Sequence, residues 1–300
     1  MSEGRKSMLR GALGRRNLLT GVAAALGGCA IPSVRAAAAA APATTEQGPA
    51  LRAQRLTWAG VRLQLEATTL FLDPLITPDV WGPALKDPMV PFDVSTSSRF
   101  VLVTHRHPDH FDVAAARKIL GENGRLVCAP EVAAFAASVG FKTRVAPLYE
   151  PVLLDDDFTA TAVPAVDGYG DPQVSWVVRG GGRRIIHCGD TLWHGSWWHI
   201  GRQFGPFDAA FLPINGARFA WRKPVSEVSA VMTPEQAVAA AVVLGARLIV
   251  PIHYGVVGAD GYSELPDPEG ALLQAARRRN MPVEIVRPGD WLTWKGRGVT

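Results

Sequence analysis

The run THRHPDHFD, residues 104–112, concentrates side chains that commonly bind metal ions. It holds His105, His107, Asp109 and His110 within six positions of a chain that has only seven histidines. Imidazole nitrogen and carboxylate oxygen are the ligands that zinc and similar divalent ions use in proteins. In a tight loop, His105 and His107 can point to one side and the other two to an adjacent position. The spacing predicts a shared cradle for two ions, against the alternative of a solvated polar loop.

Two further candidates follow apolar runs later in the chain. Asp190 ends the run RIIHCGD, and His253 ends RLIVPIH. Loops at a sheet edge expose the polar ends of such strands, so both side chains are expected near the first cluster. The alternatives are a turn residue for Asp190 and a packed core histidine for His253.

The elements that must position these residues alternate between strands and helices. RFVLVTH is expected as a buried strand, residues 112–120 as a helix, RLVCA as a strand and residues 130–139 as a second helix. This order is typical of an α/β chain with helices covering a sheet. The segments QRLTWAG and VRLQLEATTLFLDP predict a preceding β-meander.

The second half repeats that general order. Apolar patterning predicts a helix in TPEQAVAAAVVLG, where Thr233 and Gln236 form a capping box and Gly245 ends the helix. A last helix is expected over residues 269–279. Strands are predicted in the segments DFTATAVPA, QVSWVVRG, RRIIHCGD, DAAFLP, RLIVPIHYG and PVEIV.

The motif HRHPDH matches the H-x-H-x-D-H signature and resembles the metallo-β-lactamase superfamily. The resemblance continues in order through TWAG, LFLDP, HCGDT, FLPINGA and PIHYG, over about residues 51–295. The branch that it resembles contains ascorbate-6-phosphate lactonase and N-acylphosphatidylethanolamine phospholipase D. The resemblance implies an αββα four-layer sandwich with two metal ions at one edge of the sheets.

The resemblance also implies roles for individual residues. His105 and His107 would bind the first ion, and Asp190 would bridge it to the second. The second ion would also be bound by Asp109, His110 and His253. One position departs from the family pattern, because Asp167 in AVPAVDGYG stands where a histidine is expected. Asp167 is predicted to ligate through oxygen, with a simple turn before Gly168 as the alternative.

The expected function is hydrolysis of an ester, lactone or phosphodiester by metal-activated water. Asp109 or Asp190 would orient the nucleophile, and His194 is predicted to contact a small or lipid-like substrate. The two divalent ions are expected to be zinc, but the oxygen ligand at Asp167 makes manganese or iron more competitive. A non-catalytic metal-binding protein and a β-lactamase are the rival hypotheses.

The N-terminus is typical of an export signal. Residues 1–35 join a basic start, with the pair Arg15 and Arg16, to a short apolar core, as in twin-arginine signals. Residues 36–50 form an Ala-rich linker, and residues 51–300 are the expected hydrolase domain. Cleavage at the small-x-small pattern Val34-Arg35-Ala36 would release the protein into the periplasm and is the favoured site. The alternative cleavage box LGGC would leave Cys29 lipidated and the protein tethered to a membrane.

The charge balance argues against a nucleic-acid partner. The chain has 31 basic and 27 acidic residues, but residues 1–35 hold six of the basic ones and one acidic one. The remainder is close to neutral, so it has no basic footprint for nucleic acid. Cys128 and Cys188 lie in apolar runs and are expected as buried small residues, with a disulfide between them as the alternative.

We predict that export requires the arginine pair. Changing Arg15 and Arg16 together to lysine should trap the precursor inside the cell, because the twin-arginine pathway recognises the pair. Fractionation followed by immunoblotting measures the precursor and the mature chain. Normal export of the double variant would refute this prediction.

Overall fold

Two β-sheets lie at the centre of the described part of the chain, residues 50–121 and 124–294 of a computed structural model. The predicted leader, the linker up to residue 49 and Cys29 lie outside the described residues. None of the helices that the structure describes has the length and apolar character needed to cross a bilayer.

The first sheet has six strands in chain order. Its first three strands form the predicted antiparallel meander, and the last four run parallel. The strands are β1 (Arg52–Arg55), β2 (Val61–Leu65), β3 (Thr68–Leu72), β4 (Ser98–Leu102), β5 (Arg125–Cys128) and β6 (Thr143–Val145).

The second sheet also has six strands, in the order β13-β11-β10-β9-β8-β7. Strands β7 to β10 are antiparallel, whereas β10, β11 and β13 are parallel. Two short strands, β12 (Arg218–Phe219) and β14 (Tyr262–Ser263), form a separate pair. The sheet strands are β7 (Pro151–Leu153), β8 (Thr159–Pro164), β9 (Val174–Gly180), β10 (Arg183–His187), β11 (Ala209–Pro213) and β13 (Ile249–Ile252).

Three apolar clusters show the layer order. Alternate residues of β4 face opposite ways: Leu102 joins the core between the sheets, and Val101 joins the core beneath the first two helices. In β10, Ile185 and Ile186 divide in the same way between the central core and the core beneath the last three helices. This period of two gives the expected αββα four-layer sandwich. The helices are α1 (Val113–Leu120), α2 (Pro130–Ser138), α3 (Trp197–Phe204), α4 (Pro234–Leu244) and α5 (Pro268–Arg277).

The predicted end signals of α4 are confirmed. The Thr233 side chain accepts a hydrogen bond from the Gln236 backbone, and the Gln236 side chain accepts one from the Thr233 backbone. Gly245 ends the helix in the left-handed conformation, with φ of 65°. Cys128 and Cys188 are free and buried, as expected.

The predicted strand PVEIV is wrong. Only Val283 bridges β13, at Ile249, where the Ile249 amide donates to Pro282 and the Glu284 amide donates back to Ile249. The next residue of β13 on that side is Pro251, which has no amide hydrogen to continue the ladder. The chain then turns toward β1, where Leu292 donates to Ala53.

Candidate metal centre

Four strands that run in the same direction deliver the candidate ligands to one edge of the two sheets. The cluster at residues 105–110 follows β4, Asp167 follows β8, Asp190 follows β10 and His253 follows β13. Apolar strand interiors fix the strands in the sandwich, and polar side chains begin where each strand ends. The predicted convergence at a sheet edge therefore occurs between the two sheets.

The first group of potential ligands contains His105, His107, Asp167 and Asp190. One ligand atom from each lies within 4.8 Å of the others. Nε2 of His105 is 2.9 Å from Nδ1 of His107 and 3.8 Å from Oδ1 of Asp190. Two imidazole nitrogens and two carboxylates thus surround one point.

The second group contains Asp109, His110 and His253, whose ligand atoms also lie within 4.8 Å of one another. Oδ2 of Asp190 is 3.9 Å from Nε2 of His110 and 3.9 Å from Nε2 of His253. One oxygen of Asp190 therefore faces the first group and the other faces the second. The Asp190 carboxylate therefore lies between the two groups.

The electrostatics of the pair of groups fit divalent cations. Nε2 of His110 and Oδ1 of Asp190 are buried and have no hydrogen-bond partner in the described structure. Burial lowers the pKa of His105 and of His253 well below the ordinary value, which leaves neutral imidazoles with free lone pairs. Burial, followed by repulsion from Asp190, raises the pKa of Asp167. Neutral imidazoles beside crowded carboxylates are a suitable donor set for metal ions.

His110 shows how much negative charge surrounds it. Burial alone would lower its pKa, but the charges of Asp109 and Asp190 and a hydrogen bond to Asp73 raise it to about 10. A protonated His110 balances this charge when no cation is bound. A divalent ion would replace that proton, because a ligating imidazole must be deprotonated.

Each potential histidine ligand is oriented through its other ring nitrogen. Nδ1 of His110 lies 2.8 Å from Oδ2 of Asp73, and Nδ1 of His253 lies 3.1 Å from Nδ2 of Asn215. Nε2 of His107 lies 2.9 Å from Oδ2 of Asp171. All three contacts hold the direction of the ring, and the carboxylates of Asp73 and Asp171 accept the N–H that leaves Nε2 of His110 and Nδ1 of His107 free as ligand atoms. The sequence analysis did not identify these partners, although Asp73 also ends an apolar run.

Trp58 is a supporting residue that the sequence analysis named only as part of the motif TWAG. Its indole Nε1 donates to Oδ2 of Asp109 at 3.2 Å, and its ring lies 4.1 Å from the ring of His253. Its backbone carbonyl accepts a hydrogen bond from the amide of His253. Fully buried, Trp58 therefore holds two members of the second group at once.

Asp167 both faces the first group and shapes its own loop. Its Oδ2 accepts hydrogen bonds from the amides of Tyr169 and Asp171, at 3.1 and 2.9 Å. This turn carries Asp171 to His107 and Tyr169 to the neighbouring cleft. Asp167 can therefore be a metal ligand and a turn residue at the same time.

A cleft of about 330 Å³ opens above the two groups. Its polar floor includes His107, Asp109, Asp190 and His253, and the remaining lining is apolar and largely aromatic. The aromatic and aliphatic lining residues are Val80, Trp81, Pro108, Tyr169, Phe219, Trp221, Val231 and Tyr262.

His194, the predicted substrate contact, is not among the residues that line this cleft. It lies in the turn before α3, where its ring stacks on Trp197 with centroids 4.2 Å apart. Its Nδ1 accepts a hydrogen bond from the Ser196 amide. Four positions after Asp190, the chain has already turned toward the helical layer, so the expected substrate contact is not supported by this placement.

Comparisons with known proteins agree with this fold. The Beta-lactamase superfamily domain matches residues 68–254. A UPF0173 metal-dependent hydrolase of Rubrobacter xylanophilus is 32% identical over 208 residues, which cover 64% of this chain and 77% of that protein. The uncharacterized protein Rv0906 of Mycobacterium tuberculosis is 27% identical over 255 residues. That match covers 76% of this chain but 64% of the mycobacterial protein, just under two thirds of its length.

A solved structure shows the same fold. Igni18, a metallo hydrolase from the archaeon Ignicoccus hospitalis, superposes with a TM-score of 0.62 at 19% identity, covering 81% of this chain and 97% of its own. With the domain match and the curated relatives, this establishes the class. The chain belongs to the metal-dependent hydrolases of the metallo-β-lactamase fold.

We predict that Asp167 contributes to metal binding beyond its turn. Asp167→Ala should weaken binding of the ion at the first group and leave binding at the second group unchanged. Asp167→His should still bind two ions, with the metal preference shifted toward zinc. Metal titration and elemental analysis measure both, with the exposed Asp156→Ala as the matched control. If Asp167→Ala binds two ions as tightly as the parent, Asp167 is only a turn residue.

We predict that His194 makes the fold sensitive to acid. Burial lowers the pKa of His194 to about 4, below the ordinary value of 6.5. The unfolded chain therefore binds this proton first, and stability should fall as the pH drops from about 6.5 toward 4. His194→Phe keeps the stacked ring and should lose less free energy of unfolding between pH 7 and pH 5.

Urea denaturation at both pH values measures this difference. The control is His199→Phe, since His199 is exposed on α3. Part of the pH dependence should remain in His194→Phe, because burial also lowers the pKa of His187. Equal pH dependence in His194→Phe and the parent would contradict the prediction.

Proposed function

We propose that this chain is a dinuclear metal-dependent hydrolase that cleaves an ester, lactone or phosphodiester. In the proposed centre, His105, His107 and Asp167 hold one ion. Asp109, His110 and His253 hold the other, and Asp190 bridges the two.

The position of Asp190 carries this proposal. Its two oxygens face different groups, with Oδ1 3.8 Å from His105 and Oδ2 3.9 Å from both His110 and His253. A site for one ion would need only one of these groups. The buried, unpartnered atoms of His110 and Asp190 support the same assignment.

Bound divalent ions would supply Lewis acidity that brings the pKa of water near neutrality and polarises a substrate oxygen. The chain contributes orientation and proton acceptance. Asp109 lines the cleft, and the Trp58 indole restrains its Oδ2. A carboxylate in this position can accept a proton from the attacking water. Asp109 or Asp190 would thus orient the attacking water.

The donor set bears on which metal is bound. Zinc is the proposed ion, because imidazole nitrogens and carboxylate oxygens are ligands that zinc commonly uses in proteins. Asp167 replaces an imidazole by an oxygen donor in the first group, so manganese or iron competes better there than in a three-histidine shell.

We also propose that the protein acts outside the cytoplasm. The support is the twin-arginine pattern in residues 1–35, with release into the periplasm favoured over a lipid tether at Cys29. The proposed substrate is a small molecule, and the near-neutral mature chain argues against nucleic acid as a partner.

The test removes two proposed ligands of one ion. The double variant His105→Ala, His107→Ala should lose one of two bound ions and abolish turnover. Elemental analysis gives the metal content, and activity is measured on a carboxylic ester, a lactone, bis(4-nitrophenyl) phosphate and nitrocefin. His199→Ala, which alters an exposed histidine on α3, is the matched control and should retain both properties.

Each outcome separates the rival functions. Full metal occupancy in the double variant would show that the ligand assignment is wrong. Rapid nitrocefin cleavage by the parent would favour a β-lactamase. A fully loaded parent that is inert on the whole panel would favour a non-catalytic metal-binding protein.

A further inference from the structure

Five aromatic rings, called here the aromatic wall, form one side of the cleft. They are in mutual contact: the Trp81 and Tyr262 centroids are 4.6 Å apart, and Phe219 lies 5.2 Å from Trp221 and 4.7 Å from Tyr169. Phe219, Trp221 and Tyr262 are nearly parallel, with interplanar angles of 14° to 28°. The wall therefore presents stacked rings to the space above the proposed metal centre.

Three separate parts of the chain build this wall. Trp81 follows the short 3-10 turn Pro78–Val80, and Tyr169 lies in the loop shaped by Asp167. Phe219 and Tyr262 face each other across the β12–β14 pair. Trp221 is 43% exposed, so part of its ring is accessible to a molecule in the cleft.

The polar atoms of Tyr169, Trp221 and Tyr262 are bonded to protein groups, whereas the buried Nε1 of Trp81 has no hydrogen-bond partner in the described structure. The Tyr262 hydroxyl accepts from Nδ2 of Asn215 at 2.8 Å and lies 3.4 Å from Glu264. The Trp221 indole donates to the hydroxyl of Tyr169. Apart from the Trp81 indole N–H, the wall therefore offers mainly ring carbons to the cleft, and the charged groups of the lining are those of the metal-binding floor.

The charge of the cleft lining also affects which substrates can bind. Apart from the proposed ligands, the lining residues within the described chain include no charged side chain. The guanidinium of Arg222 lies 4.0 Å from the ring of Tyr169, and Arg222 itself is not part of the lining. A carboxylate or phosphate seated against the wall would lose water without gaining an ionic partner, which is unfavourable.

Size excludes large lipids. The cleft holds about 330 Å³, near the lower end of the range of roughly 300–1,000 Å³ for small-molecule sites. This space suits one ring together with the bond that is cleaved. It does not suit the two acyl chains of a phospholipid.

We propose that the substrate is an uncharged ester or lactone that carries a flat ring, with the ring stacked on the aromatic wall. This proposal rests on the proposed hydrolase function and narrows its substrate class. Water adds its oxygen to the carbonyl carbon, and the bond to the ester oxygen breaks. The departing oxygen keeps the electron pair and takes a proton from the water, giving a carboxylic acid and an alcohol.

Acetates with matched leaving groups test the ring preference. Benzyl and cyclohexylmethyl acetate have the same carbon skeleton, but only the first is flat and aromatic. The value of kcat/KM should be about threefold to tenfold higher for the benzyl ester, since stacking adds to simple burial. For 4-carboxybenzyl acetate it should fall at least about tenfold below the benzyl ester.

Two variants test whether Trp221 causes the preference for the benzyl ester. Trp221→Leu should reduce the benzyl-to-cyclohexylmethyl ratio toward one. Trp198→Leu is the matched control, because Trp198 is 50% exposed on α3 and does not line the cleft. An unchanged ratio in Trp221→Leu, or an equal loss in Trp198→Leu, would overturn the proposal. So would a preference for 4-carboxybenzyl acetate that Arg222→Ala abolishes.

A binding assay separates this proposal from the hydrolase function. Phenylacetone and cyclohexylacetone are uncharged ketones without an ester bond, and quenching of tryptophan fluorescence reports their binding to the metal-loaded protein. If phenylacetone binds more tightly than cyclohexylacetone and the difference disappears in Trp221→Leu, ring stacking on the aromatic wall is supported even if no ester is cleaved. If both acetates are cleaved at equal rates and both ketones bind equally, the ring preference is refuted while the hydrolase function is supported.

Discussion

Repulsion among carboxylates packed into one sheet edge is the constraint on which the site depends. Asp73, Asp167 and Asp190 are buried, and Asp109 lies beside them. Such a group is tolerated only when hydrogen-bond donors and cations surround it. The indole of Trp58, the backbone amides of the Asp167 turn and the imidazoles provide part of this compensation. Divalent ions would complete it by neutralising the remaining carboxylate charge.

The sandwich keeps this unfavourable arrangement rigid. Two central sheets with largely apolar residues on both faces hold the strand ends that carry the proposed ligands. Asn215 then links the metal-facing and substrate-facing parts, since its side-chain amide contacts both His253 and Tyr262. Ligand geometry and the shape of the cleft are therefore held by the same buried hydrogen bonds, which favours preorganisation over adjustment on binding.

Much of this arrangement could be predicted from the sequence, because His105 to His110 are contiguous and the other candidates end apolar runs. Parallel strand ends then imply convergence without knowledge of the contacts. The supporting residues could not be predicted in this way, because Trp58, Asn215 and Asp171 come from distant segments and depend on side-chain direction. The position of His194 outside the cleft lining could not be predicted either, because closeness to Asp190 along the chain does not fix the direction of the turn. The expected strand PVEIV failed because a single missing amide at Pro251 outweighs its apolar pattern.

Pro251 also affects how the protein behaves among other molecules. Strand β13 is the outer strand of its sheet, and an exposed strand edge invites pairing with an extended segment of another chain. On the outer side, Ile249 is already bonded to residues 282 and 284, and Pro251 offers no amide hydrogen to an incoming strand. Intermolecular strand addition is thus blocked at the strand that leads directly to His253. Pro251 thus ends the pairing at this edge of the sheet, and it also prevents another chain from pairing with the strand that holds His253 in place.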